Sequence, residues 1–177
     1  MFFTCGMGHV GDLGSSQTEC LAMRSAPILL RPYAASDEDA AIALWQRTWQ
    51  AAYPDIDFAA RVAWWRARWR DELMPKATIV VAEANGGLIG FVTIETATGY
   101  LDQIVVAPEA WGGGAAEALL AEAMRLSPAG IELLVNTDNA RAVRFYSKHG
   151  FTVTGADVSL ISRRPVHRMR WRPIDRA

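Results

Sequence analysis

Three consecutive glycines, Gly112, Gly113 and Gly114, stand between an apolar run at residues 101–106 and an Ala/Leu-rich stretch at residues 115–126. A strand that passes through glycines into a helix presents unpaired N–H groups and a partial positive charge ahead of the helix, and the missing side chains let an anion come close. Such a turn suits a phosphate or pyrophosphate; a plain flexible turn is the alternative. A Walker loop needs Lys followed by Ser or Thr after its last glycine, where Ala115 and Ala116 stand here. A dinucleotide site needs its glycines early in repeated β-α-β units with an acid about 20 residues on. Glu132 lies 18 residues after Gly114, but antiparallel strands come first. Metal chemistry has no pattern: Cys5 and Cys20 fall within the first 20 residues, and His9, His149 and His167 are scattered. Neither cysteine has a basic neighbour to make it a nucleophile.

These groups must be positioned by a chain of 177 residues, the length of one domain. With 51% apolar residues, 21% charged residues and a net charge of -1, the composition is that of a soluble globular protein. No apolar run approaches the ~20 residues of a membrane span, and the charge balance argues against a general nucleic-acid binder. Residues 1–22 contain no Lys or Arg and no periodic apolar face, so they lack the marks of a secretory or transit signal. They are expected to be a flexible tail, with Met23 a candidate start, ahead of a single domain at residues 23–177 in the cytoplasm. Residues 71–140 hold ten acids and two bases, whereas residues 141–177 hold nine bases and two acids. Either the two stretches meet and neutralise each other, or the basic one faces an anionic cofactor.

The periodicities predict an element order. A short strand at residues 28–31 is followed by Ser36-Asp37-Glu38-Asp39, a helix start with Ser36 as cap, and by Ala41, Leu44, Trp45 and Thr48 at helical spacing. Phe58, Val62, Trp65 and Trp69 predict a second helix running to about Pro75. Strands at residues 77–83 and 88–95 flank the hairpin turn Asn85-Gly86-Gly87. The strand at 101–106, the glycines and the helix at 115–126 come next. A strand at 131–135, a helix at 139–149 closed by Gly150 and a strand at 151–153 follow. Last, His167, Met169 and Trp171 alternate with arginines in a strand with one buried face. The order β-α-α-β-β-β-α-β-α-β-β is an α/β layout with a mixed, mostly antiparallel central sheet flanked by helices.

Two separated motifs give this order a family. Val106-Ala107-Pro108-Glu109-Ala110-Trp111-Gly112-Gly113-Gly114-Ala115-Ala116 is similar to a V-x-P strand end followed by a [Q/R]-x-x-G-x-[G/A] loop. Val135, Asn139, Ala142, Phe145, Tyr146, Gly150 and Phe151 reproduce V-x-x-x-N-x-x-A-x-x-F-Y-x-x-x-G-F. From Ile28 to Trp171 the chain resembles the GNAT N-acetyltransferase superfamily, in which that loop grips the pyrophosphate of acetyl-CoA. It departs from the pattern at Trp111, where the family usually carries Gln or Arg, and at Gly113, where many members carry a basic residue. Arg141, Arg144 and Lys148, spaced to share a helix face, are candidates to replace that charge, with Arg144 taken as the cofactor contact.

The resemblance implies further roles. Backbone groups of Ile104, Val105 and Val106 would bind the pantetheine arm and polarise the thioester carbonyl. Trp111, Gly112, Gly113, Gly114, Ala115, Ala116 and Asn139 would hold the cofactor. Tyr146 would contact it and protonate the departing thiolate, and Asp102, two residues beyond Tyr100, is a candidate base, with a water chain as the alternative. Trp45, Trp49, Tyr53, Trp64, Trp65 and Trp69 crowd around Asp55 and Asp57. They build either core or an aromatic pocket for a cationic amine, in which Trp49 and Tyr53 would touch substrate. The expected reaction is direct acetyl transfer from acetyl-CoA to a small-molecule amine or a peptide N-terminus, with no metal, nucleic acid or membrane partner and a homodimer possible. A degenerate acyl-CoA-binding sensor without turnover is the alternative.

Overall fold

Asn85 and Gly86, with φ of 53° and 75°, turn the chain between two strands as the Asn-Gly pair predicts. The computed structural model describes residues 27–160 and 162–173, so the expected tail at 1–22 and the start at Met23 lie outside the described residues. Its strands are β1 (Leu29–Pro32), β2 (Thr78–Ala84), β3 (Gly87–Glu95), β4 (Tyr100–Val106), β5 (Ile131–Asn136), β6 (Thr152–Val158) and β7 (Pro165–Trp171). They form one seven-stranded sheet in the order β1-β2-β3-β4-β5-β7-β6. Every pairing is antiparallel except that of β4 with β5. The helices are α1 (Glu38–Ala52), α2 (Val62–Arg68), α3 (Met74–Lys76), α4 (Ala115–Leu126) and α5 (Ala140–Lys148). No described helix is long and apolar enough to cross a membrane.

Period-two alternation divides the core between the two faces of the sheet. Val80, Ala82, Val92 and Ile94 pack with Leu119, Leu120 and Ala123 of α4 and Tyr146 of α5. Ile79, Val81 and Phe91 pack with Ile42, Leu44 and Trp45 of α1 and Trp65 of α2. The predicted aromatic cluster is therefore mostly core: Trp45, Trp65 and Trp69 are buried, while Trp64 is 43% exposed.

Two local expectations are corrected. A 3-10 turn, Ala35–Asp37, precedes α1, and the carboxylate that satisfies a free N–H at this start is that of Asp37, while Ser36 does not cap. The Ala34 N–H donates to the Asp37 carboxylate at 2.8 Å, and the same carboxylate takes both arms of Arg31. The second helix starts after Phe58 and is not uniform, because Trp69–Leu73 is a π-helical turn between α2 and α3. Trp65, Trp69 and Leu73 are all buried at a spacing of four. An ideal α-helix would rotate the third of them about 80° off the buried stripe; the wider π turn takes up that rotation.

The feature that positions the site is where β4 and β5 meet. Their parallel pairing is limited to Tyr100 opposite Glu132, with the Glu132 N–H donating to Gly99 O at 2.9 Å. Gly99 has φ +74°, and a Cβ on it would lie 2.6 Å from Gly130 O. Both facts require glycine there. Beyond this pin the strands diverge. On its other side β4 carries a bulge: Thr93 pairs with Gln103 and Ile94 with Leu101, leaving Asp102 as the extra residue. The Gln103 N–H is satisfied by Thr93 Oγ1 at 3.1 Å. Gly99→Ala should cost about 1–3 kcal/mol from backbone strain alone, lowering the thermal midpoint by about 2–4 °C per kcal/mol. A calorimetric midpoint equal to the parent's would show that the pin tolerates a side chain.

Candidate active site

The divergence of β4 from β5 opens a cavity of about 570 Å³, walled by the end of α1, both strands, Trp111 and the start of α5. Which backbone groups of β4 face it follows from the ladder. The Ala107 N–H donates to Ile89 O at 2.8 Å, so alternation directs Val105 to the β3 side and the amides of Ile104 and Val106 toward the opening. The Val106 carbonyl agrees, accepting from Trp111 Nε1 at 2.8 Å and from Thr48 Oγ1 at 3.3 Å. Of the three residues expected to offer backbone groups, Ile104 and Val106 do so. Val105 also lines the cavity, but it pairs with Phe91 and its side chain is buried in the core.

After a 3-10 turn, Pro108–Ala110, the chain reaches Trp111 and the glycines. Gly112 and Gly114 hold φ of +82° and +89°, and Gly114 caps α4 without a side chain, leaving the first N–H groups of the helix uncapped by side-chain oxygens. Ala116 joins Trp111 on the cavity wall, Gly112 and Gly113 are exposed beside it, and Ala115 is buried in the core. Gly113 has no positive φ; its constraint is space, since an added Cβ would lie 3.2 Å from Ala110 O.

Tyr146 and Asn139 reach the cavity from α5. Asn139 caps the helix, its Oδ1 accepting from the Ala142 N–H at 3.0 Å, as Asn at an N-cap should. Among the described residues its Nδ2 makes no hydrogen bond. Tyr146 packs edge-on to Phe145 and against Phe151, and burial pushes its phenol above the ordinary value of 10.0. It therefore keeps its proton throughout the neutral range.

Asp102 also lines the cavity, but in a different setting from that of a free base. Its two oxygens accept the fork of Arg68 at 2.7 and 2.9 Å, and Gln103 Nε2 adds a third bond at 3.2 Å. Arg68 is 10% exposed in its side chain and stands over the Trp65 ring. Trp49 and Tyr53, stacked 5.8 Å apart, also line the cavity. The Tyr53 hydroxyl accepts from Asn136 Nδ2 at 3.0 Å and donates to Asp138 Oδ1 at 3.1 Å. Arg164 lies over the Tyr53 ring and pairs with Asp138. Burial raises the Tyr53 phenol too.

Asp55 and Asp57 are absent from the cavity wall, and Asp57 instead accepts from the Ala60 N–H. Its carboxylates are Asp102 and Asp138. Arg144 and Lys148 are exposed and stand off the wall, whereas Arg141 is on it, 4.1 Å above the centre of the Trp111 ring. Asp138, Asn136 and Thr48 also line the cavity and Arg68 reaches it through Asp102, and no motif marks any of the four. The polar run Asn136-Thr137-Asp138-Asn139 after an apolar strand is the signal available for two of them.

A family model described as Acetyltransferase (GNAT) family matches residues 38–151. The chain belongs to the GNAT acetyltransferase family. The peptidyl-lysine N-acetyltransferase YjaB of Salmonella typhimurium is 33% identical over 119 residues, covering 64% of this chain and 76% of the relative. A mycothiol acetyltransferase of Kineococcus radiotolerans is 32% identical over 149 residues; it covers 78% of this chain, which spans about half that relative's length (47%). In fold, the PaiA N-acetyltransferase of Thermoplasma acidophilum in complex with coenzyme A matches with a TM-score of 0.67 at 20% identity, covering 83% of this chain and 99% of that one.

GNAT acetyltransferases use acetyl-CoA, and the residues here fit it. An unpaired strand edge at Ile104 and Val106 suits an extended amide-bearing arm, and the uncapped start of α4 with Arg141 beside it suits phosphate.

Because burial raises the Tyr146 phenol, the folded protein holds that proton at pH values where the unfolded chain has lost it. The associated stabilisation is complete below about pH 10 and is lost as pH rises through the folded value. Tyr146→Phe should therefore flatten the fall of the thermal midpoint above about pH 10. A slope as steep as the parent's would show that the phenol is not held protonated by burial.

Proposed function

We propose that the protein transfers the acetyl group of acetyl-CoA directly to a primary amine, carried by a small molecule or a peptide N-terminus. The observation that carries this reading is that one cavity joins a free β4 edge, a buried protonated phenol and an aromatic wall.

Bound acetyl-CoA supplies an acyl carbon activated as a thioester, with a thiol of ordinary pKa near 8.5 to leave. The outward N–H of Ile104 or Val106 polarises the acetyl carbonyl, and Asn139 Nδ2 holds the donor in place. Trp49 and Tyr53 orient the amine. Asp102 and Asp138 are each paired with an arginine, so the acceptor end carries no uncompensated carboxylate to stabilise an ammonium ion. Desolvation there favours the unprotonated amine that attack requires. As the nitrogen–carbon bond forms and the carbon–sulfur bond breaks, Tyr146 donates its proton to the departing sulfur, the amine proton passes to water, and the Tyr146 phenolate is reprotonated from water. We assign Asp102, with Arg68 on its lone pairs, to bracing the β4 bulge, and leave the proton-accepting step to solvent.

Release of free thiol from acetyl-CoA should be measured with small amines, an N-terminal peptide and a lysine peptide with a blocked N-terminus. Transfer to a small amine or a peptide N-terminus supports the reading; transfer to the lysine peptide alone would replace its acceptor class. Saturable CoA binding without release across the panel would identify a sensor that does not turn over. With an acceptor in hand, Tyr146→Phe should leave the CoA dissociation constant unchanged and lower kcat by about 10²- to 10⁴-fold. Unchanged kcat with chemistry rate-limiting would remove the acid role. Asp102→Asn should lower the thermal midpoint and leave the shape of the kcat–pH profile intact; loss of an ascending limb would return the base role to Asp102.

A further inference from the structure

The glycine loop, Trp111 to Gly114, presents no cation of its own. Among the described residues lining the cavity there are three charged side chains, Asp102, Asp138 and Arg141. The two carboxylates have arginine partners, Arg68 and Arg164. Arg141 makes no ion pair among the described residues; it stands in the first turn of α5 with its guanidinium 4.1 Å above the Trp111 ring. The indole is itself fixed, because its Nε1 donates to Val106 O at 2.8 Å. A guanidinium over an aromatic face keeps its N–H donors free at its rim, where a phosphate can take two of them.

We propose that the Trp111–Arg141 stack replaces the loop cation: Arg141 binds a phosphate of the ligand, and Trp111 is the positioning residue that holds it beside the start of α4. The tie from Trp111 to Val106 links the phosphate end of the site to the strand edge that receives the pantetheine arm. The cation thus arrives from α5, across the cleft from the loop. This inference rests on acetyl-CoA being the donor.

The test is calorimetric binding, not turnover, of CoA, dephospho-CoA, 4′-phosphopantetheine and pantetheine to the full chain and its variants. Wild type that binds none of the four would overturn the acetyl-CoA reading itself, and this inference with it. Where CoA binds, Arg141→Ala should weaken it by about 10- to 100-fold, the size of a charge-assisted contact, and leave pantetheine unaffected. Equal loss with dephospho-CoA and 4′-phosphopantetheine would assign the contact to the pyrophosphate, and loss with CoA alone to the 3′-phosphate. Trp111→Leu should reproduce most of the defect, and the Arg141→Ala/Trp111→Leu double variant should be no weaker than Arg141→Ala, since platform and cation act as one unit. Trp111→Phe, which keeps an aromatic face, should restore most of the affinity. Arg141→Ala with wild-type CoA affinity, or with pantetheine weakened as much as CoA, would overturn the proposal. So would tighter binding by Trp111→Leu, which would make the indole a plug on the Val106 carbonyl.

Discussion

The site exists because two parallel strands are bonded at one end and at no other point. Gly99 lets the backbone turn with φ +74° against Gly130 O, and Tyr100 meets Glu132 just beyond. A fully zipped β4–β5 ladder would consume the amides of Ile104 and Val106 and close the gap that Tyr146 looks into. An unpaired strand edge inside a sheet is costly unless something satisfies it. Here Trp111 and Thr48 satisfy one carbonyl, and the rest face the cavity. The opening is thus an interrupted ladder in a sheet with helices packed on both faces.

Much of this was legible along the chain because it is local. The Asn85-Gly86 turn, the glycines before α4, Asn139 as a helix cap and Tyr146 seven residues later are all set by short-range geometry. Joining distant segments was not legible. Arg68 meets Asp102 across 34 residues and Tyr53 meets Asp138 across 85, and nothing local marks either partner. The β4 bulge left one trace, a spacing of three between Leu101 and Ile104, which pack on the same face; strict alternation would need two or four. The π turn in the second helix is similar: a spacing of four at Trp65, Trp69 and Leu73 looks like ordinary helix until burial of all three demands a wider turn.

The segregation of charge along the sequence resolves as neutralisation between the two stretches only in part, since Glu83, Asp102 and Glu109 pair with Arg31, Arg68 and Arg47 from before residue 71. The basic stretch meets the acidic one where Arg164 pairs with Asp138, and Arg168 and Arg170 with Glu132. These pairs are partly exposed and each contributes little to stability. Their effect is to bind β7 and the segment before it to β5 and the turn that follows, which flank the cavity.

The Arg68–Asp102 pair joins α2, whose Trp65 stacks on Trp45 of α1, to the strand whose edge faces the cavity. A shift of α2 would disturb the bulge, and with it the register of the amides at Ile104 and Val106. Helix and strand are mechanically geared there, whereas Tyr53, Asn136 and Asp138 bond to one another on another side of the cavity, where an exchange leaves β4 in place.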